Sequence, residues 1–315
     1  MGIKFGGLRR RIVLWVRTSK AAAVHLLSPD PIRFMRDFAS ASEHPPIVTI
    51  RHRPREGGGS LLLASLATVA FSQSHGYQYV HSPFTFVLYR PDSFSTNSFV
   101  ARWNEIVPLS SIFPRDKSHR CRVICLDSRF SILRVVLGAR EVAFHSDKFR
   151  TLIVHHRPDL WMTGLSKVRQ FTWKTWVHQG MIPKGAESDP SLCRVHVRRD
   201  DINPTDFPDR FTSAAVLSEQ IARVTEDYPN LERVVLHCSN PDEDLLALRS
   251  RNLELDFSDD PFDTFIRLAT AGALVVAKST FSICAGLMSQ GAVFYPSQGT
   301  ELPPSWKRLP ESALR

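Results

Sequence analysis

Between residues 191 and 295 the apolar positions fall into short β-branched runs, separated by stretches of helical spacing. The runs at 192–197, 233–237, 253–257, 273–277 and 292–295 have the length and β-branched content of buried strands. Between them, 212–227 carries Ala214, Leu217, Ile221 and Val224 in steps of three and four, continuing to Tyr228; 241–250, 261–270 and 280–288 also read as helices. Five strands alternating with four helices predict a parallel sheet with right-handed crossovers. The first half is less regular. A strand over 45–50 leads into the glycine run Gly57, Gly58, Gly59 and a helix over 61–74 with Leu62, Leu66, Val69 and Gln73 on one face. Gly76 ends that helix and a strand begins at 77–80; 84–88 and 122–126 read as strands, and 159–178 as one or two aromatic-rich helical segments. Trp103, Trp161, Trp173 and Trp176 suit a core better than a sugar-stacking face at this spacing.

The division that follows is a basic, partly disordered leader at 1–44, an α/β domain at 45–182 and a linker at 183–190. A second α/β domain spans 191–300, and a tail at 301–315 follows, in which 302–314 is read as a helix returning to the first domain. At 315 residues and 43% hydrophobic the chain can fill two cores. The net charge of +9 is concentrated at the start, where residues 1–40 hold eight Lys and Arg against two Asp. With so little positive charge left on the main body, a nucleic-acid partner is not expected. The leader's Arg9, Arg10, Arg11 and Arg17 could touch an anionic membrane surface peripherally. No signal peptide is evident, and no apolar run approaches the roughly 18 to 20 residues of a membrane span, so a cytoplasmic location is expected. Cys121 and Cys125 lack a second ligand pair at zinc spacing, and five cysteines are an odd number. A reducing compartment and no metal site follow.

In a parallel sheet every strand-to-helix turn lies at one edge, where ligands bind. That edge gathers Arg198 and Arg199, Ser239 and Asn240, 258–260, and 278–280. Asn240 and Asp260, each followed by proline, read as N-caps. Lys278, Ser279, Thr280 and Ser282 place an ammonium and three hydroxyls at one helix start, opposite two guanidiniums. Guanidinium forks and helix N-termini both favour phosphate. The glycine run between a strand and a helix reads either as an anion or sugar cradle or as a flexible connection.

His196-Val197-Arg198-Arg199-Asp200-Asp201 resembles the His-x-Arg-Arg-x-Asp motif of the α1,2-fucosyltransferase-like superfamily. The stretch 277–286 resembles that family's Ser-Thr-Phe-Ser-Trp-Trp-Ala segment, 260–265 its preceding acidic stretch, and 57–76 its opening glycine loop and helix. The likeness spans both halves and is densest over 196–295. It implies a GT-B-like fold, two Rossmann-like domains facing across a cleft, with the five-stranded parallel sheet in the C-terminal one. It further implies an inverting transfer of a sugar, L-fucose from GDP-fucose, to a glycan hydroxyl. By the same resemblance Arg198 and Arg199 would hold the diphosphate, His196 would lie near the nucleotide, Ser279, Thr280 and Ser282 would line the phosphate end, Asp263 would read the guanine edge and Asp201 would brace the arginines. Three departures stand out: Asp200 replaces the usual glycine, Ile283 and Cys284 replace the paired tryptophans, and the glycine run lacks a following Asn-Gln.

A departing diphosphate needs positive charge, which Arg198, Arg199 and the helix start can supply without a metal or other cofactor. Glu56 and His52, beside the glycine run, are the candidates for the base that takes the acceptor's proton. The alternatives are a GT-B enzyme with another nucleotide sugar, or a non-catalytic relative that binds a glycan or nucleotide.

Overall fold

The computed structural model describes residues 47–52, 57–74, 76–85, 87, 93–114, 141–145, 159–184, 188–199, 201–248, 253–258, 260–296 and 303–309. Strand β1 (Ile47–Arg51) runs into helix α1 (Gly58–Ser74) and returns as β2 (Gln78–Tyr79). Then come α2 (Thr96–Ile106), α3 (Leu109–Ile112), β3 (Glu141–His145) and α4 (Asp159–His178). The three strands form a parallel sheet in the order β2-β1-β3. The second half alternates β4 (Asp189–His196), α5 (Ala214–Asp227), β5 (Arg233–His237), α6 (Glu243–Ala247), β6 (Leu253–Asp256), α7 (Pro261–Ala269), β7 (Ala271–Val275), α8 (Thr280–Met288) and β8 (Ala292–Tyr295). A last short strand, β9 (Lys307–Arg308), completes a parallel sheet of order β6-β5-β4-β7-β8-β9. The molecule is thus a mixed α/β protein with two parallel, Rossmann-like sheets.

The expected alternation of the second half is present, with six strands in place of five. The sixth lies in the tail read as a helix: Lys307 and Arg308 pair with Phe294 and Tyr295, and the Leu309 N–H donates to the Tyr295 carbonyl at 3.0 Å. Two residues are too short a run for periodicity to register. Residues 82–85 and 87 have no regular structure where a strand was expected, although Phe84 and Val87 are buried. Their apolar character reflects packing from an irregular chain. The stretch 122–126 and the leader 1–44 lie outside the described residues.

Helix α1 is buried on nearly all sides, not on one face; Gln73 is exposed while Leu61, Leu63, Ala67 and Ala70 are as buried as Leu62 and Leu66. Its hydroxyls cope with the dry surroundings by bonding within the helix. Ser65 donates to Leu61 O at 3.1 Å, Thr68 to Ala64 O at 2.8 Å and Ser72 to Thr68 O at 2.7 Å. Asp260 caps α7 as expected, accepting from Phe262 N and Asp263 N with Pro261 in the first turn. Helix α6 is shorter than expected, and its cap is Asp242, which accepts from Leu245 N at 2.9 Å; Asn240 has no such role.

The apolar clusters do not divide one per half. The larger joins β1, α1, α2 and α4 to α7, α8 and the near face of the second sheet, including Leu274, Val276 and Val293. The smaller lies on that sheet's far face, between Cys193, Val195 and Leu236 and the helices α5 and α6. Helices α7 and α8 are therefore sandwiched between the second sheet and the first half. Trp103, Trp173 and Trp176 are core residues, at 2%, 5% and 0% exposure, and none offers a face to a sugar.

Helix α4 is one continuous element that ties its neighbours by their carboxyl ends. Trp176 Nε1 donates to the Ile106 carbonyl at the end of α2, and Trp173 Nε1 to the Met288 carbonyl at the end of α8, each at 2.8 Å. Both are terminal carbonyls with no intrahelical donor. Trp176→Phe retains most of the apolar contact but leaves Ile106 O buried and unpaired, at an expected cost of about 1–3 kcal/mol. A urea midpoint lowered at unchanged m-value would show it; an unchanged midpoint would refute it.

Candidate functional site

The strand order places a topological switch in the second sheet. Successive strands build outward from β4 through β5 to β6, and the chain then crosses back to place β7 on β4's other side. The turns after β4 and β7 consequently leave in opposite directions and open a crevice at their carboxyl ends. Val195 pairs with Val275, so Arg198 and Lys278 each stand three residues beyond that register pair. The basic turn and the start of α8 are thereby brought together, as the alternation predicts.

The two arginines do not act as a pair. Arg199 is sequestered: its side chain is 4% exposed, Nε donates to Asp242 Oδ2 at 2.7 Å, and a terminal nitrogen donates to the Thr212 carbonyl at 2.7 Å. Its guanidinium carbon lies 4.2 Å from the centre of the Phe211 ring. The expectation that both forks face one anion is corrected for Arg199, whose donors serve the fold. Arg198 is more open, at 27%, and forms a bidentate pair with Asp201, Nε to Oδ1 at 2.7 Å and the second contact to Oδ2. Asp201 thus braces Arg198 alone. Lys278 Nζ donates to the Asp209 carbonyl at 2.8 Å.

At the start of α8 the three hydroxyls have separate fates. Ser279 is the N-cap residue but makes no side-chain capping bond. Ser282 is fully buried and closes the turn from within, accepting from Ala277 N at 3.1 Å, so it does not line a phosphate site. Thr280 Oγ1 lies 3.3 Å from Ser60 Oγ, across from the start of α1. That contact joins the two halves of the chain. A Cβ on Gly59 would stand 2.7 Å from Phe281 N and 2.8 Å from its Cα, and one on Gly58 would stand 2.2 Å from Trp103 Nε1. Cys284 Sγ contacts the Gly59 carbonyl at 3.4 Å. Gly58 and Gly59 are the first turn of α1 and serve close packing, neither a flexible connection nor an open cradle; Gly57 precedes the helix, its carbonyl accepting from Ser60 N and Leu61 N.

The His196 imidazole adjoins this junction, and that of His52 lies beside α1 at Ser65. The His196 ring lies 5.3 Å from that of Phe281, and its Nδ1 is buried without a partner. Removal from water, with His237 and Arg198 nearby, pushes its pKa down to about 3. His52 Nε2 lies 3.1 Å from the Ser82 carbonyl and 3.4 Å from Ser65 Oγ. A carbonyl only accepts, so Nε2 carries the proton and Nδ1 is a bare, buried lone pair with no partner. Burial pushes the His52 pKa down to about 4. Glu56 lies outside the described residues.

A group not anticipated from sequence lies at the carboxyl ends of β4, β5 and β6, where His196, His237 and Asp256 stand side by side in register. Arg194 donates to His237 Nε2 at 2.7 Å, which places the His237 proton on Nδ1, 3.3 Å from Asp256 Oδ2. Arg267 of α7 bridges Asp256 at 3.0 Å and Asp263 at 2.6 Å. Asp263, the residue expected to read a base, is therefore engaged with Arg267 and about half exposed. Desolvation and the Arg194 charge push the His237 pKa down to about 4. The sequence signal was present: Arg194 and His196 occupy the alternate phase of an otherwise apolar strand.

No protein-family model matches the chain, and no curated protein matches it in sequence. Among solved structures it is similar to POFUT1 in complex with GDP, at 12% identity and a TM-score of 0.42, covering 80% of this chain and 99% of that one. It is similar to a variant of Arabidopsis thaliana FUT1 in complex with GDP, at 11% identity and a TM-score of 0.39, covering 93% and 80%. E. coli heptosyltransferase WaaC with ADP-2-deoxy-2-fluoro heptose matches at 12% identity and a TM-score of 0.42, covering 84% and 92%. At TM-scores below 0.5 none of these likenesses decides what the crevice holds. Among the described residues no helix is long and apolar enough to cross a membrane, and no group of three His, Cys, Asp or Glu is placed to hold a metal ion.

Proposed function

We propose that the chain is a glycosyltransferase of GT-B type, moving a sugar from a nucleoside diphosphate donor, L-fucose from GDP-fucose by preference, to a glycan hydroxyl. The observation that carries this is the meeting, at the β4/β7 switch, of the exposed Arg198 fork, the Lys278 ammonium and the start of α8, with Ser60 of the first half opposite Thr280. These groups suit the charge that grows on a departing diphosphate. Arg199 acts at one remove, holding Asp242 and the Thr212 carbonyl.

In the inverting reaction the acceptor oxygen forms a bond to the anomeric carbon as the bond to the diphosphate breaks, and the acceptor proton needs a base. His52 Nδ1 is unprotonated at neutral pH and its tautomer is set by Ser82; Glu56 stays a candidate on sequence grounds. Burial holds the His52 pKa at about 4, below the working pH of a good general base, so in this role it takes the proton only weakly. The cations carry the leaving group's charge in this scheme, so transfer is expected to survive EDTA. Contact of the leader 1–44 with an anionic membrane surface is proposed on its charge alone.

Arg198→Ala removes the more exposed of the two forks and is expected to weaken GDP binding by about 1.5–3 kcal/mol, roughly 10- to 150-fold by calorimetry. Unchanged affinity would overturn the site. A screen of nucleotide sugars for turnover separates fucose from other donors. The engagement of Arg199 leaves one solvent-reachable fork, itself paired with Asp201, where two were expected, which favours a second reading: a nucleotide-binding relative without transfer. GDP binding with neither transfer nor donor hydrolysis would select it.

A further inference from the structure

Three cations at the β4/β7 switch have acceptors on one segment of chain. Arg198 is held by the Asp201 carboxylate, Lys278 by the Asp209 carbonyl and Arg199 by the Thr212 carbonyl. The segment 201–213 leaves the end of β4, folds on itself and enters α5 at its cap, Ser213. Within it Asn203 Oδ1 accepts from Thr205 N and Asp206 N, at 3.0 and 2.8 Å, and Asn203 O accepts from Phe207 N. Its two ends are held differently. The Thr212 end is tied to a guanidinium that is 4% exposed, also paired with Asp242 and stacked on Phe211. The Asp201 end is an exposed ion pair, 27% and 45% open on its two sides, and the Lys278 contact is likewise exposed. Exposed pairs are worth little and exchange readily; a desolvated arginine with several acceptors does not.

We propose that the segment 201–213 is a self-latched strap over the anion site, hinged at Arg199 and closed by Asp201 on Arg198 and by the Asp209 carbonyl on Lys278. A diphosphate offers Arg198 the same bidentate geometry as the Asp201 carboxylate, with more charge. Its binding therefore displaces Asp201 and draws Lys278 from Asp209, and the near end of the strap opens while the far end stays pinned. The latch competes with the ligand, so Asp201 opposes anion binding in the free protein. This rests on the proposed diphosphate site.

The test uses the full chain with Asp201→Asn, GDP as ligand, and hydrogen exchange of single amides. Asp201→Asn is expected to bind GDP about two- to fivefold more tightly, the range for an exposed ion pair. Without ligand, exchange at Thr205, Asp206 and Phe207 is expected to quicken by a similar factor in the variant, while Val216 and Leu217, beyond the hinge, stay as in the wild type. GDP added to the wild type should quicken the same three amides. Tighter binding with unchanged exchange would mean that the carboxylate acts only by its charge, and would overturn the strap. Weaker binding would show that Asp201 presents Arg198 to the ligand, and would overturn it too. If neither protein binds GDP, the diphosphate site fails; quickened exchange in the variant would then still support a latched segment, and unchanged exchange would refute it.

Discussion

Gly59→Leu is expected to destabilise the protein by more than 3 kcal/mol, and Gly59→Ala by a smaller amount of the same sign. Helix propensity alone predicts the opposite for alanine, a gain of about 1 kcal/mol over glycine. The steric term is larger. A Cβ at residue 59 would sit 2.7 Å from Phe281 N and 2.8 Å from Phe281 Cα, and both are backbone atoms at a helix start that no rotamer change can move. Overpacking of this kind costs about 1–3 kcal/mol, and leucine adds atoms with nowhere to go. Chemical denaturation of both variants decides the matter: an alanine variant more stable than wild type would mean that α1 and α8 are not in contact at Gly59. The same contact places Ser60 opposite Thr280, so a destabilised variant should lose GDP binding as well if these hydroxyls frame the ligand.

Stability is expected to fall steeply as the pH drops below about 6.5. His52, His196 and His237 have pKa values pushed down to about 4, 3 and 4 by burial, with added repulsion from Arg194 and Arg198 at the latter two. A histidine held below its ordinary value binds fewer protons folded than unfolded. Its full stability is thus present above pH 6.5 and is lost progressively as the pH falls toward the folded value. Each depression is worth at most about 3–5 kcal/mol, and His196 and His237 share part of theirs. Together the three groups place a substantial loss of stability between pH 6.5 and 4. Denaturation midpoints measured across that window check the prediction, and equal stability at pH 7 and pH 5 would refute it. His52→Gln, which cannot protonate, should flatten the slope.

Much of the second half was legible because its periodicity is clean. Strands β5 and β8 and helix α8 lie where the apolar spacing puts them, and Asp260 before Pro261 marks the start of α7. Other features escaped for physical reasons. Helix α1 has apolar residues on every side, and a helix buried all round carries no amphipathic phase to read. β9 is two residues long, and its place in the sheet depends on partner residues thirteen positions earlier. Asn240 and Asp242 both suit a cap chemically; only the backbone geometry selects Asp242.

The candidate site divides along the same line. The alternation of strands and helices was enough to place Arg198 and Lys278 at one sheet edge, because a parallel sheet sends all its turns to that edge. Residue type alone could not say which charges were open. Arg198 and Arg199 are neighbours of identical chemistry, yet one faces an exposed carboxylate and the other is enclosed by Asp242, Thr212 and Phe211. Gly59 of α1 and the cysteine at position 284 meet each other, and the small residues let two helices from opposite halves touch.

By itself the sequence determined a parallel α/β architecture in the second half and the sheet edge on which its chemistry would gather, since hydrophobic period and turn placement are local properties of the chain. Tertiary structure alone decided that Arg199 serves the fold, that Gly58 and Gly59 form a helix junction, and that Arg194, His237, Asp256 and Arg267 make one network. Those outcomes depend on which distant side chain supplies the acceptor or fills the space, and such pairings, separated by up to 225 residues between Gly59 and Cys284, leave no periodic trace.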